Sequence, residues 1–143
     1  MNHNMDTSVF GLLTKDAPNP ALQTNFDISI DPAHRIQLLS VNFSLTTDAN
    51  VANRLVRIKS ISETFSCNYA VAPVVQTAGK TIIYNFGLGL PPLDLTASGL
   101  IQCTLPNMFF LEAIDDFESD CLALQATDSI ANIRYKYKYW NTY

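Results

Sequence analysis

RIQLLSVNFSLTTDANVANRLVRIKSI, residues 35–61, holds two alternating runs of apolar and polar residues joined by a polar turn. In the first run Leu39, Val41, Phe43 and Leu45 fall on one side and Ser40, Asn42, Ser44 and Thr46 on the other. That period of two belongs to a strand with one face in water. After the turn DANVAN, Val56 and Ile58 alternate with Arg57 and Lys59, so the second run repeats the pattern with basic residues outward. Together the runs predict a β-hairpin in a half-exposed antiparallel sheet. No catalytic grouping interrupts them, which tilts the expectation from enzyme toward structural or binding protein.

Working outward, the same alternation predicts strands near residues 26–30, 35–46, 54–61, 64–72, 81–86, 100–105, 121–126 and 133–140. The segments between them are DPAH, TTDAN, PVVQTAG, GLGLPPLDLTASG and TDSIAN, each with Gly, Pro, Asn or Asp where the backbone must turn. About eight short strands fit an antiparallel β-sandwich. In the last run Ile133, Tyr135, Tyr137 and Tyr139 point one way and Arg134, Lys136 and Lys138 the other, giving one packed and one basic face. Helical periodicity of useful length is absent, although residues 108–118 offer room for one short turn of helix.

Residues 1–25 lack sustained periodicity and carry Asp16, Pro18, Asn19 and Pro20, so they read as an extended N-terminal arm laid over a surface, with 26–143 as the sandwich domain. Val9, Phe10, Leu12 and Leu13 form its one apolar patch and are the expected anchors on a partner. At 143 residues the chain is long enough to bury about 68–70% of its unfolded surface in a single core. A charged fraction of 15% is low against the usual ~25%. Such a surface is polar rather than charged, or is covered by neighbours.

The net charge of −4 argues against long-range attraction to nucleic acid or an anionic membrane, so neither is an expected partner. No run approaches the about 20 apolar residues of a membrane span, and no basic segment with a long apolar stretch opens the chain. Cys67, Cys103 and Cys121 are too few for a disulfide framework and are expected as reduced, buried thiols in a protein folded in a cytoplasm.

Candidate chemistry is sparse. His3 and His34 are the only histidines, and they lack the spacing of a metal pair. GLGLPP from Gly87 lacks the lysine and following helix of a phosphate loop. The densest cluster is Glu112, Asp115, Asp116, Glu118 and Asp120, five carboxylates in nine residues. Read as a calcium loop from Asp116, it places Cys121 where glycine is required and Thr127 where a bidentate glutamate is required. Its default reading is an acidic loop or a partner for basic strand faces. Neither catalytic residues, nor metal ligands, nor a cofactor are expected. Two basic stripes, Arg57 with Lys59 and Lys136 with Lys138, have edge protection as their default role. Their alternative is docking to an acidic neighbour such as the 112–120 segment of another copy.

Several segments resemble small jelly-roll structural proteins of tailed bacteriophages: RIQLLSVNFSLTTDA, then NVANRLVRI, later LPNMFFLEAIDDF, and the aromatic last strand IRYKYKYW. In that pattern Asn53-Arg54 follows the first long strand, and Leu105-Pro106 precedes a polar bend. The chain departs from it in having no glycine in the turn DPAHR or in the bend LEAIDDFESD. The resemblance implies a single jelly-roll-like sandwich and a virion component, a capsid decoration, minor capsid or head-fibre-base protein. Its partners would be copies of itself and major capsid, portal, neck or tail proteins. The alternative expectation is a host-receptor or carbohydrate-binding module, which would gather Tyr69, Tyr84, Tyr139 and Trp140 at a loop rim.

Overall fold

A computed structural model describes residues 10–29, 34–62, 65–107, 109–112 and 115–141, with backbone only at residues 10, 65–68 and 141. Its strands are β1 (Phe10–Ala17), β2 (Asp27–Ser29), β3 (His34–Thr46), β4 (Arg57–Ser62), β5 (Phe65–Val71), β6 (Thr81–Leu88), β7 (Leu93–Leu95), β8 (Leu100–Leu105), β9 (Phe110–Leu111), β10 (Asp115–Ser119) and β11 (Ser129–Asn141). The larger sheet runs β1-β11-β3-β6-β8-β7, with β9 on β3 beyond the end of β6. The smaller runs β2-β10-β4-β5.

Without β7 to β9, the two sheets reduce to 1-11-3-6 and 2-10-4-5, every pair antiparallel. This is the strand pairing of a jelly roll, two Greek keys folded into a sandwich. The all-β jelly-roll-like sandwich expected from sequence is therefore the observed fold. It differs in having eleven strands among the described residues, and in the parallel pairing of β6 with β8.

The expected hairpin does not form. β3 lies in the larger sheet and β4 in the smaller, so residues 47–56 carry the chain across the sandwich. Two strands with one apolar face each bury those faces equally well side by side or across a core, and alternation cannot distinguish the two. Within β3 the phase also slips. Pairing with β11 passes from Ser40↔Lys136 to Leu38↔Tyr137, leaving Leu39 as a bulge. Ile36 and Leu38 therefore join Val41, Phe43 and Leu45 in the core, whereas Leu39 is only half-buried.

The core is built around Phe43, whose ring stacks on Tyr84 (5.6 Å between centroids) and Phe86 (6.1 Å) and meets Phe26 edge-on at 5.2 Å. Phe117 of β10 reaches across to Tyr135 of β11 at 5.3 Å, tying the sheets together.

Two more expectations are corrected. Residues 121–126 form no strand, because Ala123 takes a left-handed φ of 63° and breaks the extended path. Their place is taken by β10, inside the segment read as an acidic loop with room for a helical turn. Asp115, Phe117 and Ser119 point inward and Asp116 and Glu118 outward. Ser119 is buried without penalty because its Oγ donates to Asn25 Oδ1 (2.9 Å) and accepts from the Phe26 amide (3.0 Å).

Of the segment read as an arm, residues 10–17 form β1, the edge strand of the larger sheet. Residues 10–17 pair with β11 along all eight positions, from Phe10↔Trp140 to Ala17↔Ile133. The Tyr139 ring lies directly over Gly11, where any Cβ would collide with it.

Candidate functional site

The most elaborate polar arrangement sits where the chain crosses between sheets. Arg54 is fully buried, and all five of its N–H donors are used. Nε donates to Asp128 Oδ2 (2.8 Å) and Nη2 to Asp128 Oδ1 (3.0 Å) and Asp48 Oδ1 (2.9 Å). Nη1 takes the carbonyls of Asn50 (3.0 Å) and Ala52 (2.8 Å). Asp128 in turn accepts the amides of Asp48 and Gln125, each at 2.8 Å. Burial pushes the Asp128 carboxyl up, but the Arg54 hydrogen bond and these amides outweigh it and hold it below its ordinary value. Gln76 extends the network, donating to Leu45 O and Lys80 O and accepting from the Tyr84 hydroxyl (3.0 Å). Every group faces another group of the chain, so this cluster fixes the crossing loop rather than offering atoms to a substrate. Sequence reading missed it because an arginine among polar turn residues carries no sign of burial.

On the outer face of the smaller sheet, Arg57 pairs with Asp120 and Lys59 with Glu118 (3.1 Å). The basic stripe of β4 is thus answered by Glu118 of β10 and by Asp120 just past it in the same chain. Arg57 also lies over the Tyr69 ring at 5.1 Å. Asp27 stands directly opposite Glu118 in the ladder. Its carboxyl is pushed up, first by burial and then by the charges of Asp116 and Glu118.

The other stripe behaves differently. Lys136 and Lys138 project from the outer face of the larger sheet and have no ion pair among the described residues, whereas Arg134 on the same face pairs with Asp16 (2.7 Å). Beside that pair the β11 bulge at Asn132 opens a shallow groove of about 610 Å3 lined by Asp16, Ala17, Asn19, Asn42, Asn132, Ile133 and Arg134. Of the arm anchors, Val9 and the Phe10 side chain lie outside the described residues. Leu12 and Leu13 are 54% and 38% exposed.

The aromatic residues do not share a rim. Tyr84 is in the core, Tyr69 lies on the smaller sheet, and Trp140 packs near Phe110 (6.2 Å) on the larger. Tyr139 leans on His34 (4.8 Å) at the start of β3. Cys103 and Cys121 are buried, and burial pushes both thiols up to about 12. Among the described residues no group of three His, Cys, Asp or Glu side chains is placed to hold a metal, and no helix is long and apolar enough to cross a membrane.

No protein-family model matches the sequence, and no curated protein is similar to it. A similar solved structure is a chain from the crystal structure of the T13 IBDV viral particle, at 12% identity and a TM-score of 0.39. The weak overlap covers 93% of this chain, which spans about a third (36%) of that one.

Proposed function

We propose that this chain is a non-catalytic structural component of a bacteriophage virion, a capsid decoration, minor capsid or head-fibre-base protein. It works by assembling with copies of itself and docking to capsid, portal, neck or tail proteins. The observation that carries this reading is β1. Its backbone extends the larger sheet by eight residues, yet it contributes little to the core. Leu12 and Leu13 stay exposed, and among the described residues no strand pairs with its outer edge. An exposed edge strand bearing apolar side chains is a feature that a neighbouring subunit completes. The segments that resemble phage jelly-roll proteins support the same reading. Carbohydrate recognition has less support, since the rings it needs are dispersed.

Deletion of residues 1–17 tests the proposal. Purified protein should keep its β-rich circular dichroism, because among the described side chains of β1 only Ala17 packs against the core. Incorporation into particles, scored by quantitative mass spectrometry of purified virions, should be lost. Normal incorporation of the folded, truncated chain would show that β1 is not the docking element.

A further inference from the structure

The two outer faces of the sandwich carry opposite surplus charge. On the smaller sheet the carboxylates of Asp27, Asp116, Glu118 and Asp120 face, among the described residues, only two cations, Arg57 and Lys59, which are taken by Asp120 and Glu118. Asp27 and Asp116 are left without a cation among the described residues. On the larger sheet, Arg134 is answered by Asp16 and Arg35 by Glu112 (3.0 Å), leaving Lys136 and Lys138 unanswered. Their cross-strand neighbours are uncharged: Thr14 and Ser40 flank Lys136, and Leu12 and Gln37 flank Lys138.

The spacings agree as well as the signs. Lys136 and Lys138 are two residues apart on one strand, about 7 Å. Asp27 lies opposite Glu118, and Asp116 opposite Ser29, so the two aspartates form a diagonal cross-strand pair about 7–8 Å apart. Burial pushes the Asp27 carboxyl up first, and the like charges of Asp116 and Glu118 add to it; an incoming cation offsets that second contribution.

We propose that the outer face of the larger sheet at Lys136 and Lys138 docks on the outer face of the smaller sheet at Asp27 and Asp116 of a second copy of this chain. The inference rests on reading the protein as an assembly component, and it names one of its partners. The contact would also cover Leu12, which stands exposed beside Lys138. The two surfaces differ and lie on opposite sides of the sandwich, so the contact is head to tail. Each copy keeps one face free, and the assembly grows into a ring or a filament rather than stopping at a symmetric dimer.

Sedimentation velocity of the full chain over a concentration series, at low and high salt, is the test. The expected result is association that weakens with salt, since it depends on exposed charge. Lys136→Glu with Lys138→Glu, and separately Asp27→Lys with Asp116→Lys, should each weaken it at least about tenfold. An equimolar mixture of the two variants should associate again, because one kind of contact is native and the other is reversed in sign. Recovery in the mixture also demonstrates that both variants are folded. Wild-type protein that stays monomeric throughout, association indifferent to both variants, or a mixture that stays monomeric would each overturn the inference. Those results would leave the β1 reading standing, since particle incorporation is scored separately.

Discussion

Replacing Arg54 with methionine keeps the length and apolar stem of the side chain and removes its five donors. Asp128, with no side-chain exposure, would then be a buried carboxylate facing no cation, while the Asn50 and Ala52 carbonyls lose their hydrogen bonds. Removing one partner of a buried ion pair costs about 3–5 kcal/mol. At ~3 °C per kcal/mol for a chain of this size, the melting temperature at pH 7 should fall by roughly 9–15 °C. Arg54→Lys keeps the charge but not the planar fork that spans Asp128, Asp48 and two carbonyls, and should recover less than half of the loss. The pH dependence has a defined sign. Asp128 is held below its ordinary value of 3.8, so its contribution is present above that pH and is lost as pH falls through the depressed value. The gap between wild type and Arg54→Met should therefore narrow in acid. Thermal melts followed by circular dichroism between neutral pH and pH 3 measure both effects. A drop under ~3 °C at pH 7, or full rescue by lysine, would refute the view that a satisfied guanidinium fork holds the crossing loop.

Two further outcomes follow from the packing. The Cys103 and Cys121 thiols, pushed up to about 12 by burial, should resist iodoacetamide in the native protein and react once it is unfolded; peptide mass spectrometry showing native labelling of Cys103 would contradict its core position in β8. Because the Asp27 carboxyl is pushed up, its favourable contribution is complete below 3.8 and lost as pH rises through the folded value. Asp27→Asn should therefore raise the melting temperature at pH 7 under dilute, monomeric conditions, with a gain that vanishes in acid; a lower melting temperature at pH 7 would refute the view that burial and the neighbouring carboxylates disfavour the charged form.

The strands were legible wherever one face is apolar and the other polar. Residues 100–105 coincide with β8, and the alternation of tyrosine with lysine marks β11. Strand partners were not legible, because period two reports which face is buried and says nothing of what lies across from it. β1 escaped notice since Thr14, Lys15 and Asp16 occupy an edge where little is buried. β10 escaped because its outward carboxylates look like a loop until Phe117 between them is recognised as the inward residue. Arg57 and Lys59 have edge protection as their default reading, whereas their counter-charges, Glu118 and Asp120, come from about sixty residues away, in the acidic segment whose default reading already included a partner for basic strand faces. The Arg54 cluster joins positions 74 residues apart, a relation that no local spacing encodes.

The ladder of β1 on β11 joins residues 10–17 to residues 133–140. A ribosome making this protein releases β1 well before β11, the strand it pairs with. Throughout elongation the first strand waits with its hydrogen-bonding edge unmatched, and β3 waits with it, since β11 is the strand inserted between them. The larger sheet closes only after β11 has been synthesised, so the vulnerable interval of this protein is set by translation time as much as by folding rate.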